Sequence, residues 1–339
     1  MWQFKENMMN TLTFKEDRAL DIIPVGRLAV DLNANEIHRP MEGTDTFTKY
    51  LGGSPANIAV ATSRLGKKTG FVGRVADDQF GRFIKNYLDD CHIDTSSIVT
   101  DYSGAMTGLA FTEIKSPTDC SILMYRENAV DLKLEVKDIK ESYIASAKAI
   151  LISGTALSAS PSREAVFAAL DLARKHGTVV FFDIDYRPYT WKSVEETAVY
   201  FSLAAEKCDV IIGTREEFDM LEMISNPGNK DDGVTAKKWF DHQAKIVVIK
   251  HGKDGSYAYT KEGEKVKGDV FPVTPVKTFG AGDSYAGGFI YGLLEGKTPG
   301  ESMRIGAASA AIVVSSHSCS DAMPTIEQIN TFIETYENK

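Results

Sequence analysis

Val276-Lys277-Thr278-Phe279-Gly280-Ala281-Gly282-Asp283-Ser284-Tyr285-Ala286 ends a strand-like stretch (Val270 to Val276) and opens a helical pattern that runs through Tyr291 and Leu294 to Gly296. Small residues at such a junction let backbone N–H groups approach a ligand, and the helix N-terminus adds positive partial charge, so an anion is favoured there. A carboxylate in the same first turn, Asp283, is placed to take a proton from an alcohol attacking a phosphoryl group. Helix capping is the plain structural alternative for that residue. Two look-alikes fall away. Gly280-x-Gly282 begins like a dinucleotide fingerprint, but Tyr285 holds the third glycine position. Gly296-Lys297-Thr298 resembles the end of a phosphate loop, yet Tyr291 stands where its first glycine belongs.

Upstream of this segment, short apolar runs recur at Ile22 to Gly26, Thr69 to Val72, Ala149 to Ile152, Val179 to Phe182, Val210 to Ile212 and Ile246 to Ile249. Helical patterns separate them at Pro55 to Leu65, Phe80 to Asp89, Ser162 to Lys175 and Val194 to Glu206. Apolar strands alternating with amphipathic helices predict an α/β fold, a parallel sheet covered on both faces. Two segments break the rhythm. Residues 33–50 and about 104–126 alternate in part (Leu109, Phe111, Ile114, then Ile122 and Met124) with no crossover helix between neighbouring strands. They are expected to form a small antiparallel sheet projecting from the main domain, as a lid over a substrate or a contact between two copies; a surface hairpin without function is the bland alternative. The division is therefore an N-terminal extension over 1–20 and one domain over 21–335 that carries the lid.

A net charge of -9 argues against nucleic acid as a partner, because phosphate-backbone binding needs a basic stripe. It leaves room for a small anionic substrate, which needs only a few local Arg and Lys residues. The four cysteines (Cys91, Cys120, Cys208, Cys319) include no CxxC pair and are expected to be reduced thiols. Met1 to Asp21 is of mixed charge with no apolar leader segment, and no uncharged apolar run approaches the ~20 residues of a membrane span, so the expected location is cytoplasmic.

Three further segments carry polar groups to predicted strand or helix ends. In Leu51-Gly52-Gly53-Ser54-Pro55-Ala56-Asn57, Ser54 suits an N-cap, Pro55 the first helical position, and Asn57 can offer its amide to sugar hydroxyls. The paired glycines permit close backbone approach to a ligand. Asp183-Ile184-Asp185-Tyr186-Arg187-Pro188 follows a buried strand, where ligands of open α/β sheets bind. Arg187 and Arg126, the latter at the end of a lid strand, can clamp a substrate carboxylate; singly, each also reads as a surface ion-pair residue. Val247 to Gly255 is a strand running into a glycine turn, suited to nucleotide phosphates or ribose, or to a plain hairpin.

Together these segments resemble the ribokinase, or PfkB, family of carbohydrate kinases. The resemblance rests on Gly52-Gly53 with Asn57, on Phe71-Val72-Gly73-Arg74-Val75-Ala76-Asp77-Asp78-Gln79-Phe80-Gly81, and on Gly280-Ala281-Gly282-Asp283, in the family's order over residues 21–330. It implies a ribokinase-like three-layer α/β/α domain with a β lid, and a kinase using ATP and Mg²⁺. It also implies Asp283 as the catalytic base and Gly280, Ala281 and Gly282 as an anion hole. Asp31, Gly53 and Asn57 would bind sugar hydroxyls, and Lys250, Gly252 and Gly255 would line the ATP site. The family's Asn-x-x-Glu motif, tied to magnesium and phosphate, falls on Thr214-Arg215-Glu216-Glu217, so Glu217 is the expected indirect metal residue and Glu216 its competitor.

A second departure is Lys277, where the family usually has an Asp that helps bind a monovalent cation. From this departure the expectation is that the Lys277 ammonium replaces the ion's charge and makes activity independent of potassium. Several strings, among them Tyr125-Arg126-Glu127-Asn128 and Asp183 to Trp191, are similar to a branch of the family acting on an acidic sugar, which gives Arg126 and Arg187 a task. The expected partners are thus a small acidic sugar and a second copy of the chain through the lid. The alternatives are a 2-keto-3-deoxygluconate kinase, a fructokinase, a non-catalytic sugar-binding protein of the same fold and, more distantly, a dehydrogenase.

Overall fold

A computed structural model of the chain describes residues 12–116 and 119–338. Its elements follow the apolar runs. β1 (Leu20–Val25) leads into the lid strand β2 (Ala29–Ala34), and the chain returns on β3 (Phe47–Gly52) to enter α1 (Ser54–Arg64). β4 (Gly70–Ala76), α2 (Gln79–Asp90) and β5 (Asp94–Asp101) build one side of the main sheet, after which β6 (Gly108–Ser116) and β7 (Asp119–Tyr125) finish the lid. The short α3 (Glu141–Ile144) leads to β8 (Ala147–Ser153), α4 (Ser162–His176), β9 (Val179–Asp183), α5 (Val194–Ala205), β10 (Val210–Thr214) and α6 (Arg215–Glu222). α7 (Asp232–Phe240), β11 (Ile246–Lys250) and the hairpin of β12 (Ser256–Thr260) and β13 (Lys265–Gly268) precede three helices, α8 (Ala281–Leu294), α9 (Pro299–Val314) and α10 (Ile326–Glu337).

The main sheet runs β13-β12-β11-β10-β9-β8-β1-β4-β5, parallel from β11 to β5, with the β12–β13 hairpin antiparallel at its end. Successive side chains of a strand point to opposite faces, and the apolar runs supply both. Ile150, Ile152, Phe182 and Ile211 pack under α4 to α7 with Leu170, Phe201, Phe218 and Trp239. Leu151, Phe181 and Ile212 pack on the other side with Ile58 of α1, Phe289 of α8 and Met303 of α9. Each fully buried Phe or Ile contributes roughly 1.5–3 kcal/mol, so a run apolar on both faces fits only the interior of three layers. The register aligns Ser153 with Asp183 and Thr214 with Lys250, which gathers polar residues at one edge, the C-terminal ends of the strands.

Four expectations are corrected. The lid is a four-stranded mixed sheet, β3-β2-β6-β7, because β2 pairs parallel with β6 while the outer pairs are antiparallel. β2 and β6 each follow a strand of the parallel main sheet, β1 and β5, so they leave the domain in the same direction. Residues 270–276 are extended but belong to no strand; Pro272 and Pro275 lack the N–H groups a ladder requires. Ser54 is already helical and the N-cap is Gly53, at φ +101. The extension over 1–20 is not separate where it is described: Leu12 is buried in the core, and Lys15 and Arg18 both donate to the His176 carbonyl. Residues 1–11 lie outside the described residues.

The four cysteines are free thiols. Among the described residues no helix is long and apolar enough to cross a membrane.

Candidate active site

The left-handed φ of Gly280 (+80) turns the chain into α8, and a Cβ added there would lie 2.2 Å from Cys319 Sγ. Only glycine fits. Asp283 sits one residue further than Gly282 in the first turn. α1 can lie directly on α8 because Gly287 has no side chain; a Cβ on it would be 2.4 Å from that of Ala61. This contact brings Asn57 to Asp283, and Asn57 Nδ2 donates to Asp283 Oδ2 at 2.7 Å. Burial pushes the Asp283 carboxyl up and the charge of Asp185 adds to the rise, while the Asn57 hydrogen bond, Arg187 and Ser54 hold it down. A carboxylate moved toward neutral pH accepts a proton more readily.

On one side of this turn lies a cleft of about 590 Å³. Lys250, Gly252 and Gly255 stand at one wall, Ala281 and Gly282 at its inner end, and Val270 to Pro275 with Ala310, Ala311 and Val314 supply apolar surface. The irregular 270–276 segment thus forms a wall where a sheet strand was expected. Lys250 Nζ lies 4.0 Å from Asp183 Oδ1 and would be 3.6 Å from a Cβ on Gly282, between the cleft and the helix opening. Gly252 (φ +56) is open to the cleft. Gly255 is required by the hairpin instead, since a Cβ there would meet the Gly268 carbonyl at 2.2 Å. Gly255 thus serves the hairpin turn while, with Gly252, it borders the cleft.

On the other side the lid joins the domain. Asp31, on β2, lies against Gly52, where a Cβ would come within 2.1 Å of its carboxylate, and a Cβ on Gly53 would lie 2.5 Å from the Arg27 carbonyl oxygen. The paired glycines thus make room for these two residues. Burial pushes the Asp31 carboxyl up to about 7, against the pull of Arg27 and with the help of Asp283. Ser54 Oγ, freed from capping, donates to Asp183 Oδ2 at 3.0 Å. Burial also raises the pKa of Asp183, opposed by Lys250. Asp185 adopts φ +40 and accepts from Ser153 Oγ at 3.0 Å while pairing with Arg187 Nη2 at 2.7 Å.

Glu217 caps α6, accepting from the Thr214 N–H at 2.7 Å, and its other oxygen accepts from the Tyr186 N–H at 3.0 Å. Its charge acts on Asp183 and Arg187, whereas Glu216 is exposed. Arg126, at the end of β7, pairs with the buried Asp131. The structure brings together Asp31, Asn57, Asp283, Arg187 and Lys250 from five separate segments. Sequence reasoning overlooked Arg27, which is buried among them. No pattern of spacing marks it, since its position depends on how the lid meets the domain.

A buried carboxylate in a helix-opening turn, between an apolar cleft and the polar residues where the lid meets the domain, is the arrangement of a small-molecule phosphotransferase. Residues 20–326 match the model of the pfkB family carbohydrate kinases, and the chain belongs to that family. It is a sugar kinase. It is 70% identical over 326 residues to the 5-dehydro-2-deoxygluconokinase of Geobacillus thermodenitrificans (strain NG80-2), covering 96% of each chain. It is 65% identical to the protein of the same name from Bacillus thuringiensis (strain Al Hakam), over 97% of this chain and 99% of that one. Among solved structures, a fructokinase from Xylella fastidiosa with bound ATP superposes with a TM-score of 0.83 at 24% identity, over 94% of this chain and 99% of that chain. That likeness bears on the fold.

Proposed function

We propose that the chain transfers the γ-phosphoryl of ATP to the terminal hydroxyl of 5-dehydro-2-deoxy-D-gluconate, a step of inositol breakdown. The observation that carries the reading is the Asn57–Asp283 pair at the opening of α8, where cleft and pocket meet. The substrate itself is drawn from the names of relatives 70% and 65% identical over nearly full length.

In this mechanism Asp283 accepts the proton of the attacking hydroxyl as the oxygen bonds to phosphorus. Backbone N–H groups of Gly280, Ala281 and Gly282 face the transferring group, and Lys250 neutralises charge beside it. Asp31, Gly53 and Asn57 hold sugar hydroxyls; a carboxyl titrating near 7 both donates and accepts hydrogen bonds at neutral pH. Arg187, fixed by Asp185, and Arg126 offer positive charge to the acid group of the substrate. Lys250, Gly252 and the apolar wall receive the nucleotide. Positioning and charge stabilisation supply most of the rate in phosphoryl transfer.

Among the described residues no three acidic, His or Cys side chains are grouped to hold a metal. Both Glu217 oxygens are taken by backbone N–H groups, which fits a role at one remove from the ion. Mg²⁺ would be carried by the nucleotide phosphates, neutralising their charge, with Glu217 acting through water.

The domain over 21–335 carries the lid at about 33–50 and 104–126 in this reading. The outer lid strand β7 exposes Leu123 and Tyr125 on one face and Ile122 on the other, and the first pair offers apolar surface to a second copy of the chain. ADP release measured across acidic and neutral sugars tests the substrate. Turnover confined to 5-dehydro-2-deoxy-D-gluconate supports it, and a preference for 2-keto-3-deoxygluconate or fructose overturns it.

A further inference from the structure

Arg27 lies in the connection between β1 and β2, where the main sheet hands the chain to the lid. Its backbone carbonyl and Cγ press on Gly53, at 2.5 and 3.5 Å from a Cβ built there. The residue is only 7% exposed, yet its Nε and Nη1 have no hydrogen-bond partner among the described residues. Its charged neighbours are Asp185, Arg187 and Asp131, and it acts on Asp31 from the other side. Two of these carboxylates are already engaged. Asp185 takes Arg187, Ser153 and Thr155, and Asp131 takes Arg126 through Oδ2, its Oδ1 having no hydrogen-bond partner among the described residues.

We infer that Arg27 is a specificity-determining residue of the sugar site, the guanidinium that receives the carboxylate of the acid substrate. A guanidinium stays charged at any pH the protein meets, and a buried one with idle N–H groups gains most from an ionised acceptor. Geometry also orders the pocket. Arg27 presses on Gly53 and acts on Asp31, where β2 of the lid leaves the main sheet. Arg27 therefore stands at the lid side of the site, beside two residues expected to hold the sugar. An acid sugar phosphorylated at its terminal hydroxyl carries its carboxylate at the opposite end of the carbon chain. Arg126, with its own Nε and Nη1 idle but one nitrogen held by Asp131, backs the same position. The inference rests on the acid-sugar reading above.

The test compares wild type with Arg27→Met and Arg27→Lys, using 5-dehydro-2-deoxy-D-gluconate, D-fructose as neutral probe, and ATP. Loss of a charge-assisted contact to the substrate should lower kcat/KM for the acid sugar by about 10- to 100-fold, mainly through KM. Slow turnover of fructose and the KM for ATP should stay within about 3-fold of wild type on the same grounds. Arg27→Lys should recover part of the loss. Equal losses on both sugars, or none, overturn the inference and assign Arg27 to the scaffold. A wild type with no preference for the acid sugar overturns the substrate reading, and this inference with it. If Arg27→Met does not fold, the acid-to-neutral ratio of Arg27→Lys decides, because it keeps the charge and loses the planar donors.

Discussion

Asn57 and Asp283, 226 residues apart, share a 2.7 Å hydrogen bond between the first turns of α1 and α8. The bond favours the ionised carboxylate against burial, which pushes the group up. A base must be deprotonated to work, so a raised pKa sets the acid limb of kcat/KM above the ordinary carboxylate range. Asn57→Leu removes a bond to the charged form and should move that limb to still higher pH, with lower activity at mildly acid pH. A pH profile of both proteins checks the direction; a limb that stays or moves down contradicts it.

How much of this was legible in the sequence follows from the range of the forces involved. The apolar runs gave the main sheet because burial on both faces is written into consecutive residues such as Phe181 and Phe182. Gly280 and Asp283 were legible because turn, helix opening and carboxylate lie within four residues. The parallel pairing of β2 with β6 was not, since it depends on where two distant main-sheet strands end. Ser54 was misread because its hydroxyl satisfies Asp183, a partner 129 residues away, in place of its own helix. Arg27 was missed for the same reason: its neighbours come from other segments.

Gly280→Ala should be costly on two counts, a left-handed φ of +80 and a Cβ 2.2 Å from Cys319 Sγ. The backbone strain alone amounts to roughly 1–3 kcal/mol. Urea unfolding should show a loss at least that large, accompanied by lower kcat as the anion site shifts. Wild-type stability would mean the turn adopts another form.

Lys277 is fully buried and its ammonium donates to the Phe279 carbonyl at 2.7 Å, within the loop that leads to the anion site. Burial lowers its pKa, an effect that Cys319, Asp31 and Asp283 oppose. With a fixed cation in place, exchange of sodium for potassium at matched ionic strength should leave turnover unchanged. Strong activation by potassium contradicts this. Lys277→Met should lower kcat by about 10-fold or more, the scale of losing one fixed charge near the transition state.

Arg74 ties three carboxylates, with Nε 2.7 Å from Asp138, Nη1 2.7 Å from Asp101 and Nη2 3.0 Å from Glu135. Its side chain and those of Asp101 and Asp138 are buried, so Arg74→Met strands two charges. The cost should be about 3–5 kcal/mol, read from urea unfolding near neutral pH. Burial acts to raise the pKa of Asp101, but hydrogen bonds from Ser103 and Arg74 outweigh it and the net shift is downward. A depressed carboxylate stabilises the fold above its unfolded pKa and loses that contribution as pH falls through its folded value. The deficit of the variant should therefore shrink in acid.

Turnover of Asp283→Ala on the acid sugar bears most directly on the account. If this carboxylate takes the proton from the attacking hydroxyl, kcat should fall by about 10³-fold or more while unfolding and ATP affinity stay near wild type. A variant that folds, binds ATP and turns over within about 10-fold of wild type would remove Asp283 from the chemistry, because general-base catalysis ordinarily contributes far more than that.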